Sequence, residues 1–311
     1  METSVRCFTK SSNAKVTNHR TDWSNFLKNV FSRIWQCLLI ASLGFFPYLV
    51  KAGVCADGVV ADGKTRAGAN GTCMVIQAAA PPTSTSTAPI IVVLHGDNGG
   101  KMMGGRHVTL ATKLSQEFSS PAFFMLRPGY QGDAGKSDGF AKYEDDDYTK
   151  KNMEFLAAAL DQLKHDAGDR KLVLVGHSGG AAMSAVLIAL YPQLVDAVVL
   201  AGCPCDVQSW RQWRKQSAGK RDGFWPNSLS PSDFTKKTSL KSVIVAITGD
   251  GDTNTLPKFA EEYIAALREH GVENAVFISA PGSTHGTVPE SKELIDGVRY
   301  AIEKVTAAAK P

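Results

Sequence analysis

The chain has 311 residues, of which 43% are hydrophobic and 21% charged, the proportions of an ordinary globular protein with length for a substantial core. Its formal net charge of +4 is unevenly placed: residues 1–33 hold six Lys/Arg against Glu2 and Asp22, so the remainder is close to neutral. Overall charge therefore gives no support to a nucleic-acid partner.

The basic segment is followed by Ile34 to Val50, IWQCLLIASLGFFPYLV, which carries no charge and ends at Lys51. A basic region, an apolar region and small residues at a cleavage site are the parts of a secretory signal. Val50-Lys51-Ala52 and Val54-Cys55-Ala56 both offer the residues a signal peptidase reads. The leading region is long for a signal, and the apolar run is short for a membrane span. The expectation is a signal peptide or membrane anchor over residues 1–56 and an exported, periplasmic or secreted domain over 57–311, with a mature start between Gly53 and Gly58. Left uncleaved, the same segment would be a single membrane anchor, the one membrane contact expected.

Cys73, Cys203 and Cys205 survive either cut, and Cys55 depends on it. Cys203-Pro204-Cys205 either closes a disulfide across one residue or gives one member to Cys73. The pair lacks a second ligand pair at metal spacing, so no metal site is expected.

Ala56 to Asn70, rich in Gly, Ala and Asp, reads as irregular. Strands are expected over Thr72 to Ala79 and Ile90 to Leu94, with a solvated loop from Pro81 to Pro89 between them. The second strand runs straight into His95-Gly96-Asp97-Asn98-Gly99-Gly100. A helix over His107 to Phe118, a strand from Ala122 and a Gly/Asp loop from Gly129 to Phe140 follow. Met153, Leu156, Leu160 and Leu163 then share one face of a further helix.

Lys171 to Tyr191 reads KLVLVGHSGGAAMSAVLIALY, an apolar strand, a tight turn and an apolar helix. At the turn, Gly176-His177-Ser178-Gly179-Gly180 matches G-x-S-x-G. A serine hydroxyl is a poor nucleophile until a base takes its proton, and a sharp strand-to-helix turn holds it where a histidine can reach. The turn also aims the Gly179 N–H at the place where a tetrahedral oxyanion would form. Asp196 to Gly202, Ser242 to Gly249 and Asn274 to Ala280 read as later strands, and Pro257 is placed to open a helix.

Strands alternating with helices imply βαβ units and a mainly parallel sheet with helices on both faces. Ligands bind such sheets beyond the C-terminal ends of the strands. The polar clusters 95–100, 249–252 and 283–286, and Ser178, all fall there. A serine hydrolase needs a base and a carboxylate to orient it. His95 and His285 are the histidines on loops at that edge, and Asp250 and Asp252 are the candidate acids.

With these residues in hand, the chain from about Thr72 onward resembles the α/β-hydrolase family, in its prolyl-oligopeptidase-like and dienelactone-hydrolase-like branch. The family order of nucleophile, acid and histidine implies Ser178, Asp252 and His285, with Gly249 and Asp252 matching its G-x-x-D pattern. His95-Gly96 resembles the family's oxyanion loop, which implies that the Asp97 N–H joins that of Gly179 as donor. The resemblance also implies a lid insertion at about 206–241, with Trp210, Trp213 and Trp225 among cationic residues. His95, Tyr130 and these tryptophans are candidate pocket residues, against the plainer reading that the tryptophans pack the insertion. No cofactor is implied.

The expected function is an exported serine hydrolase that cleaves a carboxylic ester through an acyl-enzyme. A peptidase of the same fold acting on peptide-like substrates is the second reading, and a non-catalytic binding module of this fold the third.

Overall fold

The computed structural model describes residues 53–55, 57–79, 87–97, 105–141, 146–217 and 223–307. The basic leader and the apolar segment 34–50 lie outside the described residues. Among the described residues, no helix is long and apolar enough to cross a membrane.

Eight strands form one sheet: β1 (Arg66–Ala69), β2 (Thr72–Ala78), β3 (Ile90–Leu94), β4 (Ala122–Met125), β7 (Leu172–His177), β8 (Ala197–Ala201), β9 (Val243–Gly249) and β10 (Ala275–Ala280). Their order across the sheet is β1-β2-β4-β3-β7-β8-β9-β10. The β1/β2 and β2/β4 pairs are antiparallel and all later pairs parallel. β3, β8 and β9 are buried along their whole length, so they carry unbroken apolar runs in place of alternation.

Helices cover both faces. On one face, α2 (Lys150–Asp166), α3 (Gly179–Leu190) and α5 (Pro257–Glu269) share a core with Met74, Leu94, Leu174 and Ile244. On the other, α1 (Gly105–Phe118) and α6 (Lys292–Ala307) close over Ile91, Val93, Val175 and Val245. This is the α/β-hydrolase fold. Met153, Leu156, Leu160 and Leu163 are buried on α2 as their spacing requires, and Pro257 opens α5.

Two expectations change. The stretch 56–70 contains the edge strand β1, whose sequence RAGA has no apolar alternation and which owes its conformation to pairing with β2. The loop 129–140 holds a two-stranded ribbon, β5 (Gln131–Gly132) with β6 (Gly135–Lys136). Finally, Cys55, whose pairing the sequence left open, forms a disulfide with Cys73, Cα atoms 5.3 Å apart, and ties the first described residues to β2. Cys203 and Cys205 bridge each other across Pro204.

Candidate active site

β7 delivers Ser178 with φ 53° and ψ −121°, a region unfavourable to any residue with a Cβ. Such a conformation costs of order 1–3 kcal/mol and persists only where the surroundings over-determine it. They do so here: the Ser178 N–H donates to Ala201 O at 2.8 Å, and its carbonyl accepts from Ala181 and Ala182 of α3 at 2.9 and 3.1 Å. The turn also brings strand against helix so closely that a Cβ at Gly176 would lie under 3.0 Å from Gly180 and Ala181. Only glycine fits there.

Three loops at the C-terminal sheet edge then meet. His285, beyond β10, places Nε2 3.0 Å from Ser178 Oγ. Its Nδ1 lies 2.8 Å from Oδ2 of Asp252, in the loop after β9. Asp252 is buried, and its Oδ1 accepts the N–H groups of Asn254 and Thr255, each at 2.8 Å. Burial alone would raise its carboxyl, but the hydrogen bond and charge of His285 and these two amides outweigh burial and hold it below the usual carboxylate value. An ionised Asp252 keeps the imidazole proton on Nδ1 and leaves Nε2 bare towards the serine. Asp250 is exposed and turned away, its carboxylate accepting the Gly282 N–H at 2.8 Å.

Asp97 ends the described part of the loop after β3. Its carboxylate receives Arg127 Nη1 at 2.7 Å and the Tyr148 hydroxyl. Arg127 is wholly buried and also bonds Asp147 at 3.2 Å and His95 O at 3.2 Å. Burial would lower the Arg127 pKa, but Tyr130, Asp97 and Asp147 raise it further, so the guanidinium stays charged. The cluster abuts the elbow: a Cβ on Gly179 would lie under 3.0 Å from Asp97, Tyr148 and Arg127. The Gly179 N–H opens α3 and so has no intrahelical acceptor.

Residues 113–301 match the prolyl oligopeptidase family. The chain belongs to the prolyl oligopeptidase family. It is a serine hydrolase. No curated protein matches this family member. Est1E from Butyrivibrio proteoclasticus, solved with ferulic acid bound, is 16% identical at a TM-score of 0.58, covering 79% of this chain and 99% of that one. An esterase from Pyrococcus furiosus is 12% identical at 0.59, covering 78% and 89%. A puromycin-hydrolyzing peptidase from Mycobacterium tuberculosis is 16% identical at 0.56, covering 76% of this chain and 37% of that one. At these identities the likeness shows the fold.

The expected pocket residues of this prolyl oligopeptidase family member are mostly interior. His95 is fully buried, its Nε2 accepting the Arg127 N–H at 3.0 Å and its Nδ1–H directed to Gly96 O at 2.8 Å, which makes it a core histidine holding the oxyanion loop. Tyr130 packs on that ring at 4.7 Å and is itself buried. Trp210 and Trp225 are buried edge to face at 5.8 Å, under Arg214 and Arg211 respectively. Trp213, partly buried, meets Phe259 of α5. In the insertion, whose described residues include α4 (Val207–Ser217) and a 3-10 turn at Pro231–Lys237, Trp210, Trp225, Arg211 and Arg214 stack on one another in the interior.

Four contributors to the site were not singled out from the sequence. Asp147 and Tyr148 sit in an acidic run that resembles a helix leader. Thr255 lies three residues after Asp252. His107 Nε2 lies 3.2 Å from His177 Nδ1, and His177 Nε2 donates to the His285 carbonyl at 2.9 Å, which anchors the histidine loop to the elbow. The short spacing from Asp252 to Thr255 was a usable signal. The other contacts join residues 20 or more positions apart.

Proposed function

We propose that this serine hydrolase is an exported carboxylic ester hydrolase. The observation that carries the catalytic part is the hydrogen-bonded chain Ser178 Oγ, His285, Asp252, at 3.0 and 2.8 Å. His285 Nε2 takes the hydroxyl proton as Oγ attacks the ester carbonyl, and Asp252 stabilises the imidazolium that results. The tetrahedral oxyanion is held by the Gly179 and Asp97 N–H groups, with the Asp97 carboxylate drawn away by Arg127 and Tyr148. Collapse expels the alcohol with the proton from Nε2. Water, deprotonated by the same nitrogen, then releases the acid and regenerates Ser178.

An ester reading over a peptide one is supported by the span of the likenesses: 89% of the Pyrococcus furiosus esterase, but 37% of the peptidase chain. Export is supported by the pairing of Cys55 with Cys73 and of Cys203 with Cys205, which leaves no free cysteine among the described residues.

Labelling by a fluorophosphonate, lost in Ser178→Ala, tests the nucleophile. Turnover of p-nitrophenyl esters against aminoacyl anilides tests the substrate class. A Ser178→Ala protein that keeps more than a few per cent of its esterase activity would overturn the assignment, and faster anilide than ester cleavage would favour the peptidase.

A further inference from the structure

Thr255 is fully buried in the loop after β9. Its hydroxyl oxygen has three polar neighbours: Asp252 Oδ2 at 2.9 Å, Gly202 O at 3.0 Å and His285 Nδ1 at 2.8 Å. These belong to three loops, following β9, β8 and β10. A hydroxyl has one proton to give and two lone pairs. The carboxylate and the carbonyl can only accept, so one of them takes that proton. Nδ1 carries the imidazole proton whenever Nε2 is bare to receive that of Ser178. A lone pair of Thr255 Oγ1 therefore faces the Nδ1–H, which is shared between Oγ1 and Asp252 Oδ2, each 2.8 Å away.

We propose that Thr255 is a positioning residue of the active site: its hydroxyl holds the Asp252 carboxylate and the His285 ring in one fixed arrangement and gives the Nδ1 proton a second acceptor. The proposal rests on the reading of Ser178, His285 and Asp252 given above. Its reach is set by how steeply rate depends on alignment, since a displacement of about 1 Å at a catalytic group can cost about a hundredfold. As His285 becomes an imidazolium, its Nδ1–H turns into a stronger donor, so the contact with Oγ1 tightens in the transition state. The effect then falls on kcat and leaves substrate binding alone.

Valine matches the shape of threonine and removes only the hydroxyl, and serine restores the hydroxyl. On a p-nitrophenyl ester, Thr255→Val should lose about tenfold or more in kcat with KM within about twofold, and Thr255→Ser should return to within about threefold of wild type. Because Thr255 and Asp252 hold the same Nδ1–H, their losses should not multiply: Thr255→Val in the Asp252→Asn background should change kcat by a factor at least about threefold different from its factor in the wild type, whereas a merely structural loss would multiply through. Thr255→Ala is made in parallel, and circular dichroism decides which variant enters the comparison. Wild-type kcat in the folded variant, no recovery with serine, or a full additional loss in the Asp252→Asn background each overturns the proposal. An Asp252→Asn enzyme with wild-type turnover removes the triad reading and this one with it. An inactive Asp252→Asn beside a fully active Thr255→Val removes this one alone.

Discussion

Asp252 Oδ2 stands 2.8 Å from His285 Nδ1, while Asp250, two residues earlier, is exposed and accepts the Gly282 N–H. Asp252→Asn should therefore lose several orders of magnitude in turnover, in keeping with the roughly ten-thousandfold cost of the same replacement in another triad, with little change in KM. Asp250→Asn should lose less than about tenfold, since an amide oxygen still accepts from Gly282. Both variants are measured on one ester, with thermal melts to separate misfolding from chemistry. A dead Asp250→Asn beside a live Asp252→Asn would reverse the assignment.

Arg127 pairs with both Asp97 and Asp147, and its side chain is wholly buried. Replacing it by Met removes the cation that pairs with two carboxylates beside the elbow. Breaking a buried pair from one side typically costs about 3–5 kcal/mol. Arg127→Met is accordingly expected to lower the melting temperature by many degrees and to lose the Asp97 position needed for the oxyanion. Urea denaturation read by tryptophan fluorescence measures the first effect, and kcat the second. A variant as stable as wild type would show that the cluster is not held by this charge.

Stability should fall on mild acidification because of three histidines. Burial, then the neighbouring Arg127, lowers His95; burial, then His285 and His107, lowers His177; burial, then Arg106 and Arg127, lowers His107 from the ordinary 6.5 to about 4. In each case the folded value lies below the unfolded one. Between the two, the unfolded chain binds protons that the folded chain refuses, so stability is complete above pH 6.5 and is lost as the pH drops towards 4. Melting temperatures should decline through that window, and more gently in His107→Gln. The acid contribution of Asp252 enters lower, from 3.8 downward. A flat or rising melting temperature between pH 6.5 and 4 would contradict the burial of these rings.

Of the two expected cleavage positions, the one after Ala52 keeps Cys55 for its bond to Cys73, and it also keeps Gly53, whose carbonyl accepts the Ala61 N–H at 2.8 Å. Cutting after Ala56 would strand Cys73 as a free thiol. Terminal sequencing of exported protein should therefore read Gly53 first, and thiol titration of the denatured, unreduced protein should find none. A start at Asp57 with one titratable thiol would refute this.

The parallel sheet, the elbow and the order Ser178, Asp252, His285 were legible in the chain because each is a local pattern. An apolar run long enough for a buried strand, a Gly-flanked serine before an apolar helix, and an acid and a histidine each just past a strand all declare themselves within a few residues. What the chain could not declare were relationships between distant positions. The strand β1 exists through its partner β2. Which way Asp97 turns depends on Arg127 and Tyr148, 30 and 51 positions away. Whether the tryptophans of the insertion face a ligand or pack it was open in the sequence, and Trp210 and Trp225 stack inside under Arg214 and Arg211. The choice between Asp250 and Asp252 rested on the direction of a turn, and the Cys55 pairing on a contact across 18 residues. A one-dimensional pattern records which side chains are apolar and how they alternate. Which charges neutralise each other in a dry interior is decided only when folding removes the water between them.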